Sequence, residues 1–263
     1  MRTRPTVQVT VLEAMNRVGG RTQSVELHGA MFDLGGMWVG KHQKHVLELA
    51  ARAKEELVMQ ECNGLKILEF ANAVGTYPTD IPNNVNIVGL IQMQYLVWKI
   101  NRMARTVPLK NPSLCKQAAY WDSITVYSWM HENIWFEKVK KLFEAAIRAI
   151  FGVEPSEISM LFMLWYVHQS ESLENLINIK NGNQEKKLIF GSQYLSLYLK
   201  EEIEKKGGKV CLSSPVATVK QTDDAVTVTT KDGRSFEADY LIVAMPPVSI
   251  NRIIFSPKLS ERR

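Results

Sequence analysis

The residues best suited to ligand chemistry lie near the N-terminus, where a β-branched stretch ends in an acidic residue. Val7–Leu12 alternates as a strand does, and Glu13 follows it directly. In a dinucleotide-binding βαβ unit, an acid at this place accepts hydrogen bonds from ribose hydroxyls. An acid at a strand end is also commonly a solvated cap. The neighbouring glycines favour the nucleotide interpretation.

Two glycine pairs follow this acid. Gly19-Gly20 precedes Arg21, and Gly35-Gly36 ends an apolar stretch sixteen positions later. Glycine permits close backbone approach to a ligand, and a guanidinium suits a pyrophosphate, although ordinary turns also explain such pairs. A Gly-x-Gly-x-x-Gly turn is expected roughly 20 residues before the acid. None occurs in the sequence. We therefore expect part of a cofactor-dependent enzyme, in a sequence that begins after the glycine-rich turn.

Composition narrows the class of protein. Hydrophobic residues make up 46% and charged residues 22%, as in ordinary globular domains. The net charge of +5 is spread over short lysine runs, which does not favour a nucleic-acid surface. Cys62, Cys115 and Cys211 indicate a reducing compartment rather than a disulfide framework. Histidine spacing predicts no metal site, and no apolar run approaches the roughly 20 residues of a membrane span.

Hydrophobic periodicity predicts the elements that must position these residues. Helices are predicted over 43–61, 87–105, 121–132, 136–151, 155–169 and 193–206. Strands are predicted over 6–12, 65–70, 209–212, 217–221, 225–230, 235–238 and 240–244, with a loop at 77–84. The last strand is continuously apolar, which is typical of a buried parallel sheet.

Several motifs carry a resemblance to a known family. They are Val11-Leu-Glu-Ala14, Arg17-Val-Gly-Gly-Arg-Thr22, Asp33-Leu-Gly-Gly36, Leu164-Trp-Tyr-Val167, Asn181-Gly-Asn-Gln-Glu185 and Ala244-Met-Pro-Pro247. The first three resemble the flavin-containing amine oxidase family, and the last three resemble its monoamine oxidase branch. The resemblance implies FAD-dependent oxidative deamination of monoamines to an imine and aldehyde, with O₂ as electron acceptor.

The resemblance and the element order together imply an α/β (α+β) fold. Residues 1–65 and 205–250 would form an incomplete Rossmann-like FAD-binding domain. Residues 66–204 would form an inserted, largely helical lobe on the substrate side. Residues 251–263 would begin a further segment that the chain does not complete.

The resemblance also assigns site residues. The cofactor set it implies is Glu13, Ala14, Arg17, Gly20, Arg21, Gly35, Gly36, Met37, Val216 and Ala244, with the backbone of Val216 meeting the adenine. Trp38 and Ile150 would line the substrate cavity, Ile177 would divide it, and Gln184 would lie near the flavin. Apart from the resemblance, Ile150 could be plain core, and a glutamine after a turn is as often exposed.

Some positions depart from the family's pattern. Met15 stands where a basic residue is usual, and Asn183 replaces a common glycine. The family's flavin-facing lysine, flavin-linking cysteine and paired tyrosines would lie beyond Arg263, so no catalytic residue is assigned. We therefore expect this stretch alone to be an inactive fragment. Two alternatives stay open: a truncated, non-catalytic interaction module, or a relative that oxidises polyamines or N-methyl-lysine.

The expected partners follow from the same resemblance. They are FAD and a small amine substrate, with no nucleic acid and no metal, and a homodimer is allowed. An intracellular location is expected. A full-length relative could anchor to the outer mitochondrial membrane through a C-terminal helix that this sequence does not contain, whereas the chain alone would be cytoplasmic.

Overall fold

The chain has a mixed α/β fold in two compact units. The structure is a computed structural model that describes residues 7–61, 63–70, 73–77 and 85–260. One unit comprises the described residues of 1–37 and 190–263, and the other comprises those of 38–189. The predicted functional domains, 1–65 with 205–250 and 66–204, divide the chain at different places and remain predictions about function. The predicted loop at 77–84 lies almost wholly outside the described residues.

The elements are as follows. The strands are β1 (Thr10–Leu12), β2 (Ser24–Leu27), β3 (Ala30–Asp33), β4 (Trp38–Val39), β5 (Leu57–Met59), β6 (Lys66–Phe70), β7 (Ala73–Tyr77), β8 (Lys186–Leu188), β9 (Lys209–Cys211), β10 (Val216–Gln221), β11 (Val226–Thr230), β12 (Ser235–Ala238) and β13 (Ile254–Ser256). The α-helices are α1 (Lys44–Arg52), α2 (Ile87–Ala104), α3 (Ala118–Ser123), α4 (Val126–Asn133), α5 (Glu137–Phe151), α6 (Met160–Gln169), α7 (Leu173–Ile177), α8 (Gln193–Lys205) and α9 (Pro247–Ile250). A 3₁₀ turn covers Pro112–Leu114.

The first unit is built from short sheets and helix α8. β1 pairs in parallel with β9, from Thr10 opposite Lys209 to Leu12 opposite Cys211. β2 and β3 form an antiparallel hairpin. β12, β11 and β10 form an antiparallel meander, with β13 parallel to β10 at its edge. Alternate residues of β11 are buried, which is the period-two pattern that predicted this meander.

The second unit contains the large hydrophobic core. Helices α2 to α7 contribute side chains to it at helical spacing. The residues buried from α2 and α6 are Leu96, Ile100, Ala104, Met160, Leu161, Met163, Leu164 and Val167. β4, β8 and β5 form a three-stranded sheet in this unit, and β6 and β7 form a hairpin.

Several predicted helices are confirmed. Their boundaries agree with the prediction because residues next to the helix ends set them. α2 begins after Asn86, whose side chain accepts a hydrogen bond from the Gly89 N–H. α5 ends at Gly152, which adopts the left-handed conformation at φ 68°. α8 and the meander strands also match their predicted ranges to within one or two residues.

The predicted helix over 43–61 is wrong in its second half. α1 ends at Arg52, and Lys54 turns into the left-handed region at φ 54°. Leu57–Met59 then forms β5, antiparallel to β8. Pairing with a strand about 130 residues away overrides the local helical period.

The helices predicted over 121–132 and 155–169 have different boundaries. Residues 118–133 form two helices rather than one. The helical conformation is interrupted at Thr125, whose hydroxyl caps the start of α4. α6 begins only after Ser159, whose hydroxyl accepts from the Phe162 N–H at 3.2 Å. Thr125 and Ser159 form an isolated antiparallel bridge. This contact between distant residues fixes both helix starts.

The N-terminal strand is shorter than predicted, and the strand predicted over 240–244 is not formed. Only Thr10–Leu12 pairs as a strand. Residues 240–244 are irregular, and Tyr240 and Ile242 are 89% and 87% exposed. Among the described residues, no strand pairs with this segment. An apolar segment forms a strand only where a neighbour accepts and donates its backbone hydrogen bonds.

The core predicts a sharp difference between two isoleucines on one helix. Ile100 of α2 is fully buried, whereas Ile91 is 63% exposed. Ile100→Ala should lower the free energy of unfolding by about 2–5 kcal/mol, because it leaves a cavity in the close-packed core. Urea unfolding measures this. Ile91→Ala is the matched control and should differ from wild type by less than about 0.5 kcal/mol; equal losses would contradict the assigned core.

Candidate functional site

Glu13, the acidic residue after β1, lies on a loop that is hydrogen-bonded to the end of β9 and to the residues that follow it. The Glu13 N–H donates to the Cys211 carbonyl at 2.9 Å. The Ser213 and Ser214 N–H groups donate to the Met15 and Glu13 carbonyls, each at 2.8 Å. The Glu13 carboxylate accepts from the Met15 N–H at 2.8 Å. A carboxylate has two oxygens, so Glu13 can also accept from the hydroxyls of a ligand.

This pairing places Val216 close to the acidic loop. β10 begins at Val216, two residues after the serine that donates to Glu13. The structure therefore brings together two predicted cofactor residues that lie about 200 positions apart in sequence. Ala244 differs, because it lies in the exposed irregular segment and forms no described contact with this loop.

The first glycine pair forms a tight left-handed turn. Gly19 and Gly20 have φ of 103° and 51°, a region that residues with a Cβ rarely adopt. Arg17 folds back on this turn, donating from Nη2 to the Gly20 carbonyl at 3.0 Å. Ala14, Gly20 and Arg21 are exposed, so this loop is open to solvent.

The second glycine pair packs against Arg21, the residue that follows the first pair. The Gly36 N–H donates to the Arg21 carbonyl at 3.0 Å. A Cβ on Gly35 would lie 2.0 Å from that same carbonyl oxygen. The second pair thus contacts the residue after the first pair, and Met37 follows Gly36 as the last residue of this unit's first segment. Close backbone approach explains why Gly35 is glycine.

Sequence reasoning did not single out the side chains that anchor this loop. Gln193 donates from Nε2 to the Val18 carbonyl at 2.7 Å and accepts from the Ser24 N–H at 3.0 Å. Asp33 accepts from the Ser24 hydroxyl at 2.6 Å and from the Ser192 N–H at 2.8 Å. The only available signal was a polar pair at the start of a helix, and its target 169 residues away could not be deduced from it.

In the second unit, the predicted substrate residues are distributed over several elements. Gln184 is half-buried and donates from Nε2 to the Leu176 carbonyl at 3.3 Å. Ile177, which follows Leu176 in the sequence, is the last residue of α7 and is 37% exposed. The structure therefore brings Ile177 and Gln184 together. Ile150 packs against the helical core, and Trp38 in β4 lies opposite Lys187 of β8.

The turn before Gln184 is fixed by its own polar residues. Asn181 adopts φ 60°, and its N–H donates to the Glu185 carboxylate at 2.8 Å. Asn183, where the family commonly has glycine, donates from its side chain to the Ser170 hydroxyl at 3.0 Å. This departure therefore adds an anchor to the loop. The Asn183 N–H also donates to the Asn175 carbonyl at 2.8 Å.

Clusters of metal-binding side chains and membrane-spanning helices are both absent from the part of the chain that the structure describes. In it, no group of three or more His, Cys, Asp or Glu residues is placed to hold a metal ion. No helix in the described ranges has the length and apolarity needed to cross a bilayer.

Comparisons with known proteins identify the family. Residues 3–263 match the model of the flavin-containing amine oxidoreductase family. The chain is 29% identical over 260 residues to a protein of Dictyostelium discoideum called "probable flavin-containing monoamine oxidase A", and 32% identical over 262 residues to amine oxidase [flavin-containing] B of Sus scrofa. The structure of cyclohexylamine oxidase from Brevibacterium oxydans superposes with a TM-score of 0.86 at 28% identity, covering 95% of this chain and 55% of that one.

The chain therefore belongs to the flavin-containing amine oxidoreductase family. The alignments cover 98% of this chain but only 56% of the Dictyostelium protein and 49% of the porcine one. The chain thus spans about half the length of the curated relatives it matches.

The residues of the acidic loop fit part of a flavin dinucleotide. The Glu13 carboxylate stands at the carboxyl end of a parallel strand, where ribose hydroxyls are bound in nucleotide folds. The exposed left-handed turn at Gly20 leaves its backbone accessible, and a Cβ there would meet no atom within 4 Å.

The contact between Gly35 and the Arg21 carbonyl predicts a position-specific effect of alanine. Gly35→Ala should lower the free energy of unfolding by about 1–3 kcal/mol, because its Cβ collides with the Arg21 carbonyl. Gly36→Ala is the control, since its Cβ would lie 3.7 Å from the nearest atom. Thermal unfolding of both variants tests the contact, which equal midpoints would refute.

Proposed function

We propose that the full chain carrying this sequence is an FAD-dependent oxidase of small monoamines. The amine loses two electrons and two protons to become an imine, which water hydrolyses to an aldehyde with release of ammonia. FAD supplies the electron acceptor, and O₂ takes the electrons onward as hydrogen peroxide. The observation that carries this proposal is the Glu13 loop, held beside Val216 by hydrogen bonds to Cys211–Ser214.

The proposed cofactor residues fall into two groups by their geometry. Glu13 and Val216 would take the adenosine half. The parallel strands β1 and β9, which precede these two residues in the chain, support a Rossmann-like arrangement. Gly20 and Arg21 would face the pyrophosphate, with Gly35 and Gly36 packed against Arg21. Ala14, Arg17, Met37 and Ala244 complete the set as proposals from the family resemblance. Arg17 would have to leave the Gly20 carbonyl to reach a phosphate.

The proposed substrate cavity rests on the second unit. Ile177 and Gln184 lie together through the Leu176 contact, which fits an apolar divider beside a polar residue. Trp38 and Ile150 are proposed to extend the lining. An amine substrate needs such a mostly apolar cavity with few polar groups to orient it. The intracellular location, the membrane anchor of a longer form and the homodimer remain predictions.

Glu13 provides a direct test of cofactor binding. Glu13→Ala in the full chain should weaken FAD binding by 1.5–3 kcal/mol, or on the order of 10- to 100-fold, because the ribose hydroxyls lose a charged acceptor. Flavin content per protein after desalting measures the effect. Glu26→Ala, which removes an exposed acid of β2, should leave flavin content unchanged. Normal flavin content in Glu13→Ala would refute the assignment.

Ile177 provides a test of the substrate side. Ile177→Ala should change the relative kcat/KM values across a series of aryl-alkylamines of increasing length while flavin content stays constant, because one side chain shapes the cavity. Ile189→Ala is the matched control, since Ile189 has similar exposure in the same unit, 40% against 37%. A uniform loss of kcat/KM for all amines would instead indicate that Ile177 serves packing alone.

A further inference from the structure

Asp232 and Arg234 form an ion pair with several hydrogen bonds in the turn between β11 and β12. Arg234 donates from Nε to Asp232 Oδ2 at 2.9 Å, and its Nη2 lies 2.7 Å from the same oxygen. The Thr230 hydroxyl donates to the other carboxylate oxygen. Hydrogen bonds from Arg234 and then from Thr230 lower the pKa of Asp232 to about 2. The Asp232 carboxylate therefore stays ionised through the physiological range.

The same arginine reaches out of its hairpin to a buried serine. Its Nη2 donates to the Ser214 hydroxyl at 2.8 Å, and that hydroxyl donates to the Leu212 carbonyl at 2.8 Å. Ser214 is 1% exposed. Its N–H donates to the Glu13 carbonyl, so one residue links Arg234 to the acidic loop.

The segment around this serine is strained and held on several sides. Ser213 adopts φ 50°, which is unfavourable for a residue with a Cβ and persists only where surrounding contacts fix it. Its N–H donates to the Met15 carbonyl. On the other side, the Lys231 N–H donates to the Pro215 carbonyl at 2.8 Å. The segment thus lies between the acidic loop and the β11–β12 turn, and it leads directly into Val216.

We propose that Arg234 is a positioning residue for the adenosine half of FAD, acting through Ser214 to hold Glu13 and Val216 at a fixed separation. This inference rests on the proposed function. Arg234 itself need not touch the cofactor. Without its guanidinium, the Ser213–Ser214 segment can relax from its left-handed conformation, and the Glu13 carbonyl loses its fixed donor.

Cofactor reconstitution distinguishes positioning from general stability. Apoprotein of the full chain is titrated with FAD and with FMN, which lacks the adenosine half. Arg234→Ala should weaken FAD binding about 10-fold, as expected for losing a hydrogen bond from a charged group, and change FMN binding less than about 2-fold. Ser214→Ala should give the same selective loss. The double variant should be no worse than either single variant, because both remove one interaction.

Arg252→Ala is the control, since Arg252 is an exposed cation of the same unit outside this network. Its affinities for both flavins should equal those of wild type. Unchanged FAD binding in Arg234→Ala, or equal losses for FAD and FMN, would overturn the inference. A wild-type protein that binds neither flavin would overturn the proposed function itself, and this inference with it.

Amide hydrogen exchange on the cofactor-free protein provides a second measurement. In Arg234→Ala, the Ser213, Ser214 and Lys231 amides should exchange faster, because they donate across the segment. The Val219 and Val228 amides in the paired strands β10 and β11 should keep their wild-type protection. Unchanged exchange at Ser213 and Ser214 would show that Arg234 does not position this segment.

Discussion

The candidate cofactor site depends on backbone hydrogen bonds that join two segments about 200 residues apart. Glu13 and Met15 exchange three such bonds with Cys211, Ser213 and Ser214. They continue the parallel pairing of β1 with β9 beyond the strand ends. Because backbone groups removed from water need partners, these bonds fix the loop without using any side chain. One oxygen of the Glu13 carboxylate accepts from the Met15 N–H, and the second oxygen is the acceptor that the proposed ribose contact would use.

Two further kinds of contact hold the loops around these backbone hydrogen bonds. Glycines permit contact between backbones, as where Gly35 meets the Arg21 carbonyl. Polar side chains hold the loops from outside, as Gln193 does for Val18 and as Arg234 does for Ser214. Gln193 lies 175 residues from Val18 in sequence, whereas Arg234 lies 20 residues from Ser214. Residues 14–16 and 20–21 of the loop stay exposed, as the proposed cofactor contact requires.

The second unit is stabilised differently, by a large apolar core. Helices α2 and α6 bury side chains at helical spacing, and those side chains hold the elements that carry Ile150 and Ile177. Around Gln184, polar residues fix the turn by hydrogen bonds. Glu185 accepts from the Asn181 N–H, and the Asn183 side chain donates to the Ser170 hydroxyl. A rigid helical core thus supports a loop whose conformation is set by its own hydrogen bonds.

The sequence by itself determined the features that depend on near neighbours. Caps and glycine stops set α2 and α5, alternation set the meander, and the motifs identified the family. Only the tertiary structure decided features that need a distant partner: β5 forms against β8, α6 begins at the Thr125–Ser159 bridge, and residues 240–244 are irregular. The same holds for the joining of Glu13 to Ser214 and for the role of Gln193. Periodicity reports what a segment can bury, whereas strand pairing and loop anchoring depend on which other segment lies beside it.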